Sequence, residues 1–65
     1  MKILVNDEEL EVADRLTVAD LLDRLGYAHK GIAVAVDWAV VPRSDWHTAL
    51  SDGARVEVVT AVQGG

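Results

Sequence analysis

Near the start of the chain Lys2-Ile-Leu-Val-Asn6 is a run of strand-favouring residues, and Leu10-Glu-Val12 then alternates apolar and polar positions at the period of a β-strand. The polar Asn6-Asp7-Glu8 between them predicts a hairpin. With a period of two, Ile3 and Val5 face inward with Met1 beside them, Leu4 faces the other way, and Leu10 and Val12 supply the neighbouring inward pair. The period then changes. Val18, Leu21, Leu22 and Leu25 recur at i, i+3, i+4 and i+7, the stripe of a helix packed on a sheet, while Asp20, Asp23 and Arg24 face water. Thr17 suits the N-cap, and Asp20 stands where a capping-box acid belongs, although it is shorter than the usual Glu. Leu16 and Leu21 have the spacing of a hydrophobic staple, and Gly26 predicts a left-handed end to the helix.

Ile32-Ala-Val-Ala-Val36 is apolar on both parities and predicts a central strand, with Asp37-Trp38 beginning a reversal into Ala39-Val-Val41. Pro42 limits that strand because it cannot donate to a ladder. Ser44 is expected to cap a short helical turn containing Trp46 and Leu50, and Asp52-Gly53 to turn the chain into a last strand. Within the final apolar run, Arg55 to Val62, Val56 and Val58 share one face while Arg55, Glu57, Val59 and Ala61 share the other. Leu4 and Val59 are thereby expected to form an exposed apolar patch beside the end of the chain. The order of elements is hairpin, helix, further strands, with no internal repeat and no linker.

A chain of 65 residues makes one small domain that buries only about 60% of the surface its unfolded form exposes, leaving little room for a walled active-site cavity. Its 51% hydrophobic content and single proline describe a folded domain rather than a disordered one. Six Lys and Arg against eleven Asp and Glu give a net charge of -5, the wrong sign for gripping a phosphate backbone, so nucleic acid is not an expected partner. Without cysteine, the chain has no internal disulfide, thiolate metal site or thiol nucleophile. No secretory signal or run long enough to span a bilayer is read in it, and the expectation is a cytoplasmic protein with no membrane partner.

The most informative chemistry lies at the end, where Gly64 and Gly65 follow the last apolar run as a bare stalk bearing a carboxylate. Without side chains such an end can thread a narrow channel, and its carboxylate can attack the α-phosphate of ATP to give an acyl adenylate open to a sulfur or nitrogen nucleophile. An ordinary flexible terminus would look the same. Ser44-Asp45-Trp46-His47 contains the residue types of a hydrolytic triad, but a triad must converge around a cleft with an oxyanion hole, and capping by Ser44 with a solvated Asp45 explains the spacing more simply. His29 and His47 lack companions at metal-ligand spacing. The acidic Asp7, Glu8, Glu9 and Glu11 read as a solvated hairpin edge, Trp46 as a core filler, and Trp38, at a turn, as a contact residue.

Met1-Lys-Ile-Leu-Val-Asn6, Thr17-Val-Ala-Asp-Leu-Leu22, Val41-Pro-Arg-Ser-Asp-Trp46 and the end from Arg55 to Gly65 together resemble the thiamine-biosynthesis sulfur carriers, small ubiquitin-like β-grasp proteins, over the full chain. Asp37-Trp38 departs from the Asn-Gly type of turn in similar chains. The resemblance implies an α+β fold: a β-grasp domain over 1–62, with a mixed four- to five-stranded sheet and one main helix across it, and a flexible tail over 63–65. It further implies a carrier rather than an enzyme, with no bound cofactor and no metal. An E1-like activating enzyme using ATP and magnesium would adenylate the Gly65 carboxylate. A persulfide derived from a cysteine desulfurase would convert it to a thiocarboxylate, and thiazole synthase would receive the sulfur. Gly64 would give clearance for the tail, and Leu4, Val59 and Gln63 would contact partners. A molybdopterin-synthase-type carrier, a ubiquitin-like modifier and a plain interaction module remain alternatives of related shape.

Overall fold

The computed structural model describes residues 1–60 of the chain. The expected division between 1–62 and 63–65 falls outside them, as do Ala61, Gln63, Gly64 and Gly65. Strands β1 (Lys2–Val5) and β2 (Glu8–Glu11) pair antiparallel across a turn whose two central residues, Asn6 and Asp7, both have positive φ, 48° and 69°. That is the backbone of a two-residue type I′ turn, whose twist matches that of the strands it joins, and Asn and Asp tolerate it better than most residues. Helix α1 (Val18–Leu25) starts at Thr17, whose hydroxyl accepts the Asp20 N–H at 3.1 Å while the Asp20 carboxylate accepts the Thr17 N–H at 3.3 Å. Both halves of the capping box are made despite the short Asp. Gly26 closes the helix at φ 82°.

Strands β3 (Ile32–Val36) and β4 (Ala39–Val40) form a second hairpin around Asp37 and Trp38, again both at positive φ, 50° and 73°. Both turns have the same form, but here a bulky aromatic sits where Gly is preferred. β4 is shorter than expected: Val41 still donates its N–H to Val34 O at 2.8 Å, and Pro42 then ends the pairing. The last strand, β5 (Arg55–Thr60), runs parallel to β1 and antiparallel to β3 in a five-stranded sheet of order β2-β1-β5-β3-β4.

One face of the sheet and the helix enclose the core. Ile3, Val5, Val34, Val56 and Val58 from the strands meet Val18, Leu21 and Leu22 from the helix, and Val12, Trp46, Leu50 and Ala54 close the ends. Leu25 breaks the expected stripe at 37% exposure, because it stands on the wall of an open groove of about 250 Å³ with Val5, Leu10 and Tyr27 instead of beneath the sheet. Ser44 does not cap a helical turn. A 3-10 turn (Arg43–Asp45) is started by Pro42, whose carbonyl accepts the Asp45 N–H at 2.8 Å, so the backbone itself supplies the partner and Ser44 lies within the turn. Trp46 ends that turn, and Leu50 lies beyond it, past a bridge between Thr17 and Ala49.

Candidate functional site

The strand that leads to Gly64 and Gly65 is held from both sides. Along β3 the pairing continues to Ile32 opposite Thr60, so β5 is laddered to its last described residue on that edge. On the other edge β1 ends at Val5, opposite Val56. There Leu4 N–H donates to Ala54 O and Asn6 N–H to Val56 O, each at 2.9 Å, and the Asn6 side-chain amide continues the series by donating to Val58 O at 3.3 Å and accepting the Val58 N–H at 2.8 Å. Asp37 does similar work where β5 begins: its N–H donates to Arg55 O at 2.8 Å and its carboxylate accepts the Arg55 N–H at 3.0 Å. From Thr60, five residues can reach at most about 18 Å.

The face of the sheet opposite the helix carries Leu4, Arg55, Glu57 and Val59, with Ala33, Ala35 and Val40 from the neighbouring strands, as the register requires. Val59, 60% exposed, lies beside Ala33 near the exit of β5. Leu4 lies beside Arg55, four residues back along the strand and about 13 Å away at the usual rise. The two share a face, as parity predicts, but do not form one patch, because Arg55 and Glu57 stand between them. Arg55 organises the far end of this face: its guanidinium is 2.6 Å from Asp7, 3.7 Å from Glu57, and stacked 4.9 Å from the ring of Trp38, which is 75% exposed. Part of the acidic edge is thus engaged rather than merely solvated. Parity placed Arg55 on this face, but only the tertiary turn positions reveal that it joins both hairpins.

Among the described residues, no side-chain hydrogen bond links Ser44, Asp45 and His47, and no group of three or more His, Cys, Asp or Glu is placed to hold a metal. The Nε2 of His29 is 2.8 Å from Asp23, and its ring meets Trp46 edge-on at 5.8 Å. That contact fastens the end of α1 to Trp46, whose indole N–H donates to Val41 O at 3.1 Å. A groove of about 280 Å³ lies at the Asp37 end of the sheet, away from the β5 exit, with Val18, Val36, Leu50 and Ala54 in its wall. Its Asp37 is committed to Arg55. No helix among the described residues is long and apolar enough to cross a membrane. The arrangement holds β5 by pairing on both edges up to Val58 and on the β3 edge to Thr60.

The family model described as the ThiS family matches residues 1–65. The chain is 33% identical to the sulfur carrier protein ThiS of Escherichia coli K12, with both chains covered completely. It is also 35% identical, along its whole length, to part of a thiazole synthase of Paramagnetospirillum magneticum; there it spans only 20% of the relative. Among solved structures, the crystal structure of the thiamine biosynthesis protein ThiS from Geobacter metallireducens superposes with a TM-score of 0.81 at 29% identity, covering both chains fully. A solution structure of a thiamine biosynthesis protein from the same organism gives 0.79 at 29% identity, covering all of this chain and 88% of that one.

Proposed function

Because this chain belongs to the ThiS family, we propose that it carries sulfur for thiamine biosynthesis on the carboxylate of Gly65. The full-length likeness to a protein named as a sulfur carrier carries this reading, and a central strand that leads directly toward Gly64 and Gly65 supports it. A 1–62 domain would act as the holder and 63–65 as the reactive end. The Gly65 carboxylate oxygen attacks the α-phosphate of ATP, bound with magnesium by an E1-like activating enzyme, and pyrophosphate leaves. A persulfide sulfur derived from a cysteine desulfurase then attacks the activated carbonyl and AMP departs. Having no cysteine, the chain must take this sulfur from a partner. Reductive cleavage of the sulfur–sulfur bond by a thiol leaves a thiocarboxylate.

Thiazole synthase is the proposed recipient, and a related segment within a thiazole synthase chain supports that pairing. In both partners Gly64 removes side-chain bulk where the end must enter a channel. Val59 and Gln63 contact the partner close to that channel, and Leu4 touches it farther back on the same face. The chain is a co-substrate of its partners and binds no cofactor itself. Intact mass spectrometry after incubation with a β-grasp activating enzyme, ATP, magnesium and a persulfide donor tests this. The expected product gains the mass difference of one oxygen exchanged for one sulfur, located on the C-terminal peptide. An unchanged mass beside a demonstrably active enzyme refutes it.

A further inference from the structure

We infer that Asn6 is a positioning residue for the carrier end: by standing in for a missing strand residue it fixes the direction in which β5 leaves the sheet. This rests on the proposed sulfur-carrier reading. Backbone donors from β1 and the turn after it meet alternate carbonyls from the residue before β5 onward, Leu4 with Ala54 and Asn6 with Val56. The next carbonyl in that series is Val58 O, but there β1 has already turned. Asn6 reaches it from the turn with its side chain and also accepts the Val58 N–H, so one amide satisfies both backbone groups of a residue that is only 7% exposed. Among the described residues this is the last link on the β1 edge of β5, two residues before Thr60 and seven before Gly65.

Asparagine fits here for two separate reasons. Its φ of 48° is left-handed, which Asn tolerates, and its short amide carries a donor and an acceptor side by side, as a peptide group in a ladder does. Aspartate would keep the acceptor but set a carboxylate oxygen against the Val58 carbonyl, and glycine would keep the turn while removing both bonds. Glycine at this position suits a type I′ turn, so Asn6→Gly removes the clamp with little threat to the fold. With the clamp gone, β3 is the remaining backbone pairing of Val58 to Thr60 among the described residues, and a partner that grips the exit of β5 must order it on binding.

The test compares wild type, Asn6→Gly and Asn6→Asp in steady-state adenylation by the activating enzyme, with amide hydrogen exchange read at Val58. For Asn6→Gly the expected result is faster exchange at Val58, a KM for the carrier raised by about tenfold, equivalent to about 1.4 kcal/mol, and an unchanged kcat. Asn6→Asp, which keeps the bond from the Val58 N–H but opposes the Val58 carbonyl with a carboxylate oxygen, is expected to raise KM as well. An Asn6→Gly protein that is folded and exchanges fast at Val58 yet keeps the wild-type KM overturns the positioning role and leaves the carrier reading standing. A kcat that falls with KM unchanged also overturns it. Failure of the wild type itself to be adenylated refutes the carrier reading, and this inference with it.

Discussion

Replacing Trp46 with phenylalanine tests whether the Val41-Pro-Arg-Ser-Asp-Trp46 segment serves the fold or the chemistry. Trp46 is 5% exposed, within the core cluster, and its indole N–H is bonded to Val41 O. Phenylalanine keeps a ring against His29 but removes that donor, leaving the Val41 carbonyl to find water, a loss of about 1 kcal/mol. The missing five-membered ring takes roughly 40 Å² of apolar contact with it, about 1 kcal/mol more at 25 cal/mol per Å². The sum of about 2 kcal/mol compares with about 3 to 10 kcal/mol for a domain of this length. Trp46→Phe is therefore expected to fold, with its melting temperature lowered by about 8 to 16 °C. Trp46→Ala, at about 3 to 5 kcal/mol, brings the protein close to unfolding. Thermal melts followed by far-ultraviolet circular dichroism measure the shift, and the mass assay run well below the melting point measures sulfur loading. Undiminished stability combined with lost loading would refute the structural role and move this segment to the partner interface.

Thr17→Ala breaks the hydroxyl half of the capping box and is expected to cost about 1 kcal/mol in urea denaturation, whereas Thr17→Ser should cost far less; equal losses would mean that the cap is not the cause. Gly26→Ala meets no atom within 4 Å of the added carbon, so only the positive φ of 82° opposes it; a destabilisation of about 1 kcal/mol is expected, and a loss above 3 kcal/mol would reveal a clash not present here. Asp7→Asn keeps a residue suited to the positive φ of 69° and removes only the charge of an ion pair whose carboxylate side chain is 77% exposed, so it should change stability by less than about 1 kcal/mol, checked by melts at low and high salt. Removing Gly64 and Gly65 should leave the melting temperature within about 1 °C, since the core of the described residues is complete by Val58, while abolishing sulfur loading; retained loading would sink the carrier reading.

Much of this architecture was legible because the signals were local. The parity of Ile3 and Val5, the spacing of Val18, Leu21 and Leu22, the box at Thr17 and Asp20, and Gly26 each depend on neighbours a few residues away, and all stand in the structure as the pattern predicts. The discrepancies arise where tertiary packing decides. Leu25 continues the helical stripe but reaches past the packed part of the sheet onto the wall of a groove, and Ser44 loses its capping role to a proline two residues earlier. Leu4 and Val59 were placed on the right face, but their separation depends on the register of β1 against β5, which hydrophobic parity does not fix. The amide of Asn6 meets Val58 across 52 residues, so no sequence window contains that pair. Gln63, Gly64 and Gly65, the residues on which the chemistry would turn, were legible from their place after the last apolar run and from the resemblance, and they lie outside the described structure.

The pairing of β1 with β5 joins the earliest strand of the chain to the latest, at the middle of the sheet. During synthesis, β1 and β3 flank a gap until Arg55 to Thr60 emerge, so a nascent polypeptide that stops short of them has no completed sheet. Folding is therefore a late event: a product that stops before β5 offers partners no assembled sheet to dock against.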